Sequence, residues 1–179
     1  GEQAPGFSMG IDAKLKVARS LRSLRVDVIE AGFAASGGEE AAAIARLAAE
    51  ISQRDEDPII CSLARTRFGD IDAAGEALRA AHRKRIHVFI ATSPLHREAK
   101  LKMSKEQVLE QIRAGVSRAR NYTDDVEYSA EDAIRTEREF LLEALETAIA
   151  AGATTLNIPD TVGYTTPEEI QDLFAFLSS

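Results

Sequence analysis

The chain has 179 residues, of which 45% are hydrophobic and 28% charged, and it carries a formal net charge of −7. That is enough for one domain with a sizeable core, while the acidic balance argues against a nucleic-acid partner. No apolar run approaches the roughly 18 residues of a membrane span, so no membrane partner is expected. The single cysteine, Cys61, excludes an internal disulfide framework and fits a reducing compartment, so a cytoplasmic location is expected.

The chain opens on Gly1-Glu2-Gln3-Ala4-Pro5-Gly6, which reads as the middle of a loop with no targeting segment in view. Ile11, Leu15, Ala18, Leu21 and Leu24 then form a helical stripe. A short β-branched strand follows over 26–29, ending at Glu30. Ser36 and Glu39 have capping-box spacing and predict the start of an Ala-rich helix running through Ile51. The next strand is predicted over 58–63, and a helix over about 70–84. The segment 86–91 reads as a strand with almost no polar face, and Ser104 with Gln107 predicts a capped helix after it.

A weaker strand is predicted over 126–128. Thr136 and Glu139 have the spacing to cap a helix whose stripe is Phe140, Leu141, Leu145 and Ile149. The last strand is predicted over 154–158. Thr166, Pro167 and Glu169 mark the start of a final helix reaching Leu177.

Strand ends near residues 30, 63, 90, 128 and 158 recur about every 32 residues. A (β/α)8 barrel of roughly 250 residues has about 31 per unit. Continuous apolar strands also fit a parallel sheet whose outer face is covered by helices. The rival is a doubly wound sheet, which concentrates function at one switch point and often carries a Gly-rich phosphate turn. Here no strand is followed by G-x-G-x-x-G, and polar groups stand at every strand end: Glu30, Arg65, Ser93 with His96, Ser129 with Glu131, and Asn157 with Thr161. A ring of sites is the barrel pattern. The predicted fold is therefore α/β, an incomplete TIM barrel of five parallel strands and six helices. Residues 1–179 are expected to form part of a single catalytic domain that lacks the barrel's first strand and its last two.

As chemistry alone, these strand ends hold hydrogen-bonding groups rather than a nucleophile with its base. No Ser-His-Asp arrangement falls in a familiar order, and no Cys/His cluster predicts a zinc site within the segment. Cys61 reads as a small buried residue in mid-strand. His82 lies among basic residues at a helix end and reads as solvated. His87 is placed at the opening of a strand, where a structural role is favoured. His96, just beyond a strand end, is the histidine for which a functional role is favoured over a surface position.

Five motifs fall in order along the chain. They are Gly1-Glu2-Gln3-Ala4-Pro5-Gly6; Val28-Ile29-Glu30-Ala31-Gly32-Phe33; Ile90-Ala91-Thr92-Ser93 with His96; Val126-Glu127-Tyr128-Ser129-Ala130-Glu131-Asp132-Ala133; and Thr154-Thr155-Leu156-Asn157-Ile158-Pro159-Asp160-Thr161-Val162-Gly163. Together they resemble the 2-isopropylmalate synthase family, one of the acyl-CoA Claisen-condensing barrels that also include homocitrate and citramalate synthases and HMG-CoA lyase. The resemblance implies a metal-assisted condensation of acetyl-CoA with a 2-oxo acid, namely 2-oxoisovalerate, in leucine biosynthesis. A homocitrate- or citramalate-type synthase is the alternative within that family.

The resemblance also implies roles. His96 and Thr161 would hydrogen-bond the 2-oxo acid, and His96 and Glu131 would serve the chemistry. Ser129 would shape the pocket, Asn157 would support a metal shell and Pro159 would fix the loop. Glu30 and Arg65 would be inward polar groups near the metal, a structural ion pair being an equal expectation, and Gln3 would lie near the barrel's first strand. The divalent metal (Mg, Mn or Zn) would be held by an Asp just before Gly1-Glu2-Gln3 and an H-x-H pair beyond Ser179, so this segment is expected to hold no metal ligand. Without those ligands, a non-catalytic truncated barrel is the reading from another class. Five strands of eight leave open sheet edges, so an oligomer such as a dimer is expected.

Overall fold

A computed structural model describes Gly6 and residues 9–178 of the chain. Helices and strands alternate: α1 (Ile11–Ser23), β1 (Val28–Gly32), α2 (Gly38–Ile51), β2 (Ile59–Arg65), α3 (Phe68–Ala77), β3 (Lys84–Ala91), α4 (Lys105–Ala119), β4 (Val126–Glu131), α5 (Arg138–Ala151), β5 (Thr155–Asn157) and α6 (Pro167–Leu177). The five strands form one parallel sheet in the order β1-β2-β3-β4-β5. Each helix from α1 to α4 packs against the next.

Sequential strand order with sequential helix neighbours is the arrangement of a (β/α)8 barrel. A doubly wound sheet requires the strand order to reverse at a switch point, and none does here, which removes that alternative. The sheet is not closed, and β1 and β5 are its edges.

Residue parity fixes the two faces. Ile60 and Ala64 of β2, Ile86, Val88 and Ile90 of β3, and Val126, Tyr128 and Ala130 of β4 are buried. They join a core with Ile44, Leu47, Ile71, Val108, Ile112, Val116, Phe140 and Leu141 of the helices. Full burial of such a side chain stabilises by about 1.5–3 kcal/mol, and this outer layer is where the sheet gains most of its stability. The opposite face carries Glu30, Cys61, Arg85, His87, Glu127, Ser129, Glu131 and Asn157, with Leu63 and Phe89 among them.

The structure corrects several local readings. Ser104 and Thr166 do close capping boxes, with Gln107 and Glu169. Ser36 does not: it belongs to a short 3-10 turn over Ala34–Ser36, and α2 begins after Gly37 with no side-chain cap. Thr136 does not cap α5 either, because its hydroxyl donates to the carbonyl of Asp132 and meets Thr92 Oγ1 at 2.7 Å. The α5 stripe ends on buried Ala148, leaving Ile149 exposed.

The helix expected over 70–84 stops at Ala77. The chain then turns so that the His82 and Arg83 N–H groups donate to Ser52, which aligns Lys84 to start β3. His82 is half-exposed, with Asp55 2.7 Å away.

Candidate active site

The inward face of the sheet gathers the groups that the outward face excludes. Register places Glu30 beside Cys61, and His87 beside Glu127. His87 Nδ1 lies 2.6 Å from Glu30 Oε2, and its Nε2 lies 2.6 Å from Ser129 Oγ. A carboxylate can only accept, so Nδ1–H donates to Glu30. That bond outweighs the partial burial of Glu30 and holds its carboxyl below the usual range. His87 is therefore the hub of three strands. It is the fourth residue of β3, not its opening residue, and its alternation with Ile86 and Val88 was the signal for an inward side chain.

Beneath this row, Arg85 donates to Asp125 at 2.9 Å and to Glu127 at 3.1 Å, and Asn157 Nδ2 donates to Glu127 Oε1 at 2.9 Å. Cys61 Sγ reaches Glu30 Oε2 at 3.8 Å. Burial, then the negative charges of Glu30 and Glu127, push its thiol well above its ordinary value. Cys61 is thus buried as expected, in surroundings that disfavour its thiolate.

The donor atoms of Glu30, Cys61 and His87 lie within 4.8 Å of one another. A divalent metal needs a deprotonated thiol and a free imidazole nitrogen. Here both imidazole nitrogens are hydrogen-bonded, Nδ1 to Glu30 and Nε2 to Ser129. As they stand, the three side chains form a hydrogen-bonded cluster.

A second network stands on the loops at the C-terminal ends of the strands. His96 opens a π-helical turn over His96–Leu101, a feature frequent at functional sites. Arg97 anchors that turn: it is buried, donates to the Thr92 carbonyl at 2.9 Å and grips both oxygens of Glu137. His96 Nδ1 lies 3.1 Å from Ser93 Oγ and 3.1 Å from Asp132 Oδ2.

Asp132 is 1% exposed. Burial raises its carboxyl, but Arg135, Ser93 and the nearby His96 together hold it below the usual range. Its main-chain N–H donates to Thr161 Oγ1 at 3.0 Å. Asp132 therefore brings the expected pair His96 and Thr161 onto one residue that the sequence reading did not single out.

The remaining expected positions divide. Ser129 is on the inner face. Glu131 is at the rim, where Lys100 Nζ donates to it at 2.8 Å. Glu30 and Arg65 do not pair with each other: Glu30 holds His87, and Arg65 turns to Asp70 at 2.5 Å and lies over the Phe33 ring. Pro159 follows β5, but the turn after it is held by Asp160, whose carboxylate accepts the N–H groups of Gly163 and Thr165, each at 3.0 Å. Gln3 lies outside the described residues.

A sequence profile of the HMGL-like family matches residues 1–179. The chain belongs to the HMGL-like family. Two relatives, each named 2-isopropylmalate synthase, are similar across almost all of it. One, from Aquifex aeolicus (strain VF5), is 58% identical over 173 residues, which is 97% of this chain and 32% of that protein. The other, from Xanthomonas campestris pv. campestris (strain B100), is 52% identical over 177 residues, 99% of this chain and 33% of that protein.

The crystal structure of hydroxymethylglutaryl-CoA lyase from Pseudomonas aeruginosa superposes with a TM-score of 0.79. Its sequence identity is 19%, and the match covers 99% of this chain and 60% of that one. This HMGL-like chain thus shares a TIM-barrel-like fold with that enzyme, and it spans about a third of the length of its curated relatives. Its relatives are synthases, and no described helix is long and apolar enough to cross a membrane.

Proposed function

We propose that residues 1–179 are the substrate-pocket arc of one catalytic barrel domain in a cytoplasmic 2-isopropylmalate synthase, an acyltransferase of leucine biosynthesis. The parent protein would condense acetyl-CoA with 2-oxoisovalerate and then hydrolyse the thioester. The observation that carries this is the 58% identity to a named synthase over 97% of the chain. The polar groups of the inner face support it, since polar groups at the C-terminal ends of barrel strands are where such folds keep their chemistry.

On this reading the chain's own residues bind, orient and move protons. Ser129 and His87 face the barrel interior and offer hydrogen bonds to the 2-oxo acid. His96 and Thr161, held by Asp132, close over it from the loops. Glu131, neutralised in part by Lys100, stands at the rim where the acyl-CoA enters. Asn157 and Arg85 fix Glu127 below the substrate, and Pro159 with Asp160 shapes the last loop.

The cation of this reaction class, Mg, Mn or Zn, supplies Lewis-acid polarisation of the ketone. Its ligands are proposed to lie in the parent protein outside these residues. A dimer is proposed for the assembled enzyme.

Free-thiol release by the full-length parent with a panel of 2-oxo acids tests the proposal. A preference for 2-oxoisovalerate is expected. A preference for pyruvate or 2-oxoglutarate would reassign it to a citramalate- or homocitrate-type synthase.

A further inference from the structure

We propose that Glu30 is a positioning residue that turns His87 and Ser129 into a proton relay opening on the barrel interior. The proposal rests on the acyl-transfer reading for its substrate and on geometry for its parts. Three strands supply one member each: Glu30 from β1, His87 from β3 and Ser129 from β4. The two hydrogen bonds are both 2.6 Å, and His87 and Ser129 are 8% and 5% exposed.

Glu30 decides which imidazole nitrogen carries the proton. Its carboxylate accepts from Nδ1–H, so in the neutral ring Nε2 is an acceptor and the Ser129 hydroxyl donates to it. Removing Glu30 frees the ring to move its proton to Nε2, where it would compete with the serine hydroxyl instead of receiving from it.

The other groups around the ring leave this assignment in place. Glu127 Oε1 lies 3.6 Å from Nε2, but that carboxylate already accepts from Arg85 and Asn157. Arg85 sits one position below on β3 and is committed to Asp125 and Glu127. Cys61, protonated and buried, backs the Glu30 oxygen at 3.8 Å.

The relay conserves atoms and charge. When Ser129 Oγ receives a proton from a reacting group, its own proton passes to Nε2. One O–H bond forms at the serine as one breaks there, and one N–H bond forms on the imidazole. The imidazolium keeps its Nδ1–H on Glu30. Run backwards, the same steps return the proton to an alkoxide formed when the keto carbonyl is attacked. The alternating demand for a base and an acid in a condensation is what such a pair meets.

The test uses the full-length parent labelled with 15N-histidine, with His87→Asn assigning the signal. Wild type is expected to show Nδ1 protonated, whether Nε2 is bare or protonated. A neutral ring with a bare Nδ1 overturns the relay, whatever the activity. Glu30→Ala is expected to move the neutral ring towards the Nε2–H form and to lower kcat at least tenfold, with KM for the 2-oxo acid changed less than threefold. Glu30→Gln keeps an acceptor oxygen and is expected to recover part of kcat. An unchanged kcat in Glu30→Ala overturns the proposal. If Glu30→Ala does not fold, the wild-type spectrum still decides. A parent that releases no thiol sinks the acyl-transfer reading, and the ring assignment then stands or falls on the spectrum alone.

Discussion

The main-chain N–H of Asp132 donates to Thr161 Oγ1 across 3.0 Å, joining the end of β4 to the turn after β5. Asp132 does this from the left-handed region, at φ 64° and ψ 39°, a conformation that a non-glycine residue holds at a cost of about 1–2 kcal/mol. Its side chain offsets that cost through Arg135 Nε at 2.8 Å and the nearby His96. Asp132→Ala is therefore expected to lose about 2–4 kcal/mol, since it leaves Arg135 and the strained backbone uncompensated. Urea unfolding of the parent measures this, and a loss below 0.5 kcal/mol would contradict it.

The same carboxyl sets a pH dependence. Its folded value is depressed, so its stabilisation is fully present above the unfolded Asp value of about 3.9 and drains away as pH falls through the folded value. Wild type is expected to lose more stability than Asp132→Asn between about pH 4 and that lower value. Parallel unfolding curves for the two proteins in acid would refute the assignment.

Tyr128 gives a prediction of opposite sign. Its ring is fully buried, and its hydroxyl has no hydrogen-bond partner among the described residues. An unsatisfied buried hydroxyl costs about 1–3 kcal/mol. Tyr128→Phe is expected to leave stability unchanged or to raise it by about 1 kcal/mol. A drop of more than 1 kcal/mol in thermal or urea unfolding would show a partner for that hydroxyl.

Gly75 lies inside α3 where a Cβ would overlap the Tyr122 ring. Glycine to alanine within a helix ordinarily gains up to about 1 kcal/mol. Here the added methyl must displace Tyr122, whose hydroxyl donates to Asp72 at 2.8 Å. Gly75→Ala is expected to destabilise by about 1–3 kcal/mol. A stabilised variant would mean that the contact between α3 and the turn after α4 is looser than described.

Much of the fold could be read from period and punctuation. The repeat of about 32 residues and the apolar strands gave the barrel arc, and Ser104 and Thr166 marked helix starts that the structure keeps. Ser36 and Thr136 failed because capping-box spacing does not say where a hydroxyl is spent. Ser36 fell inside a 3-10 turn, and Thr136 was committed to Asp132 and Thr92.

The site was legible by position more than by partner. Ser129 and Glu30 both lie on the sheet face that carries His87. The Glu30–His87 bond joins residues 57 apart across an intervening strand, and no local pattern reports such a diagonal. Asp132 was overlooked for a similar reason, since its contacts come from the loops after β3 and β5.

The central claim is that the inner face of this arc handles the 2-oxo acid in an acyl transfer, with His87 at its centre. Free-thiol release from acetyl-CoA by the full-length parent, with 2-oxoisovalerate varied, compares wild type with His87→Asn. A fall in kcat/KM for the 2-oxo acid of about 10²–10³, the size typical for a lost oxyanion or proton-transfer group, is expected, with KM for acetyl-CoA changed less than threefold. Wild-type turnover in His87→Asn would contradict the account.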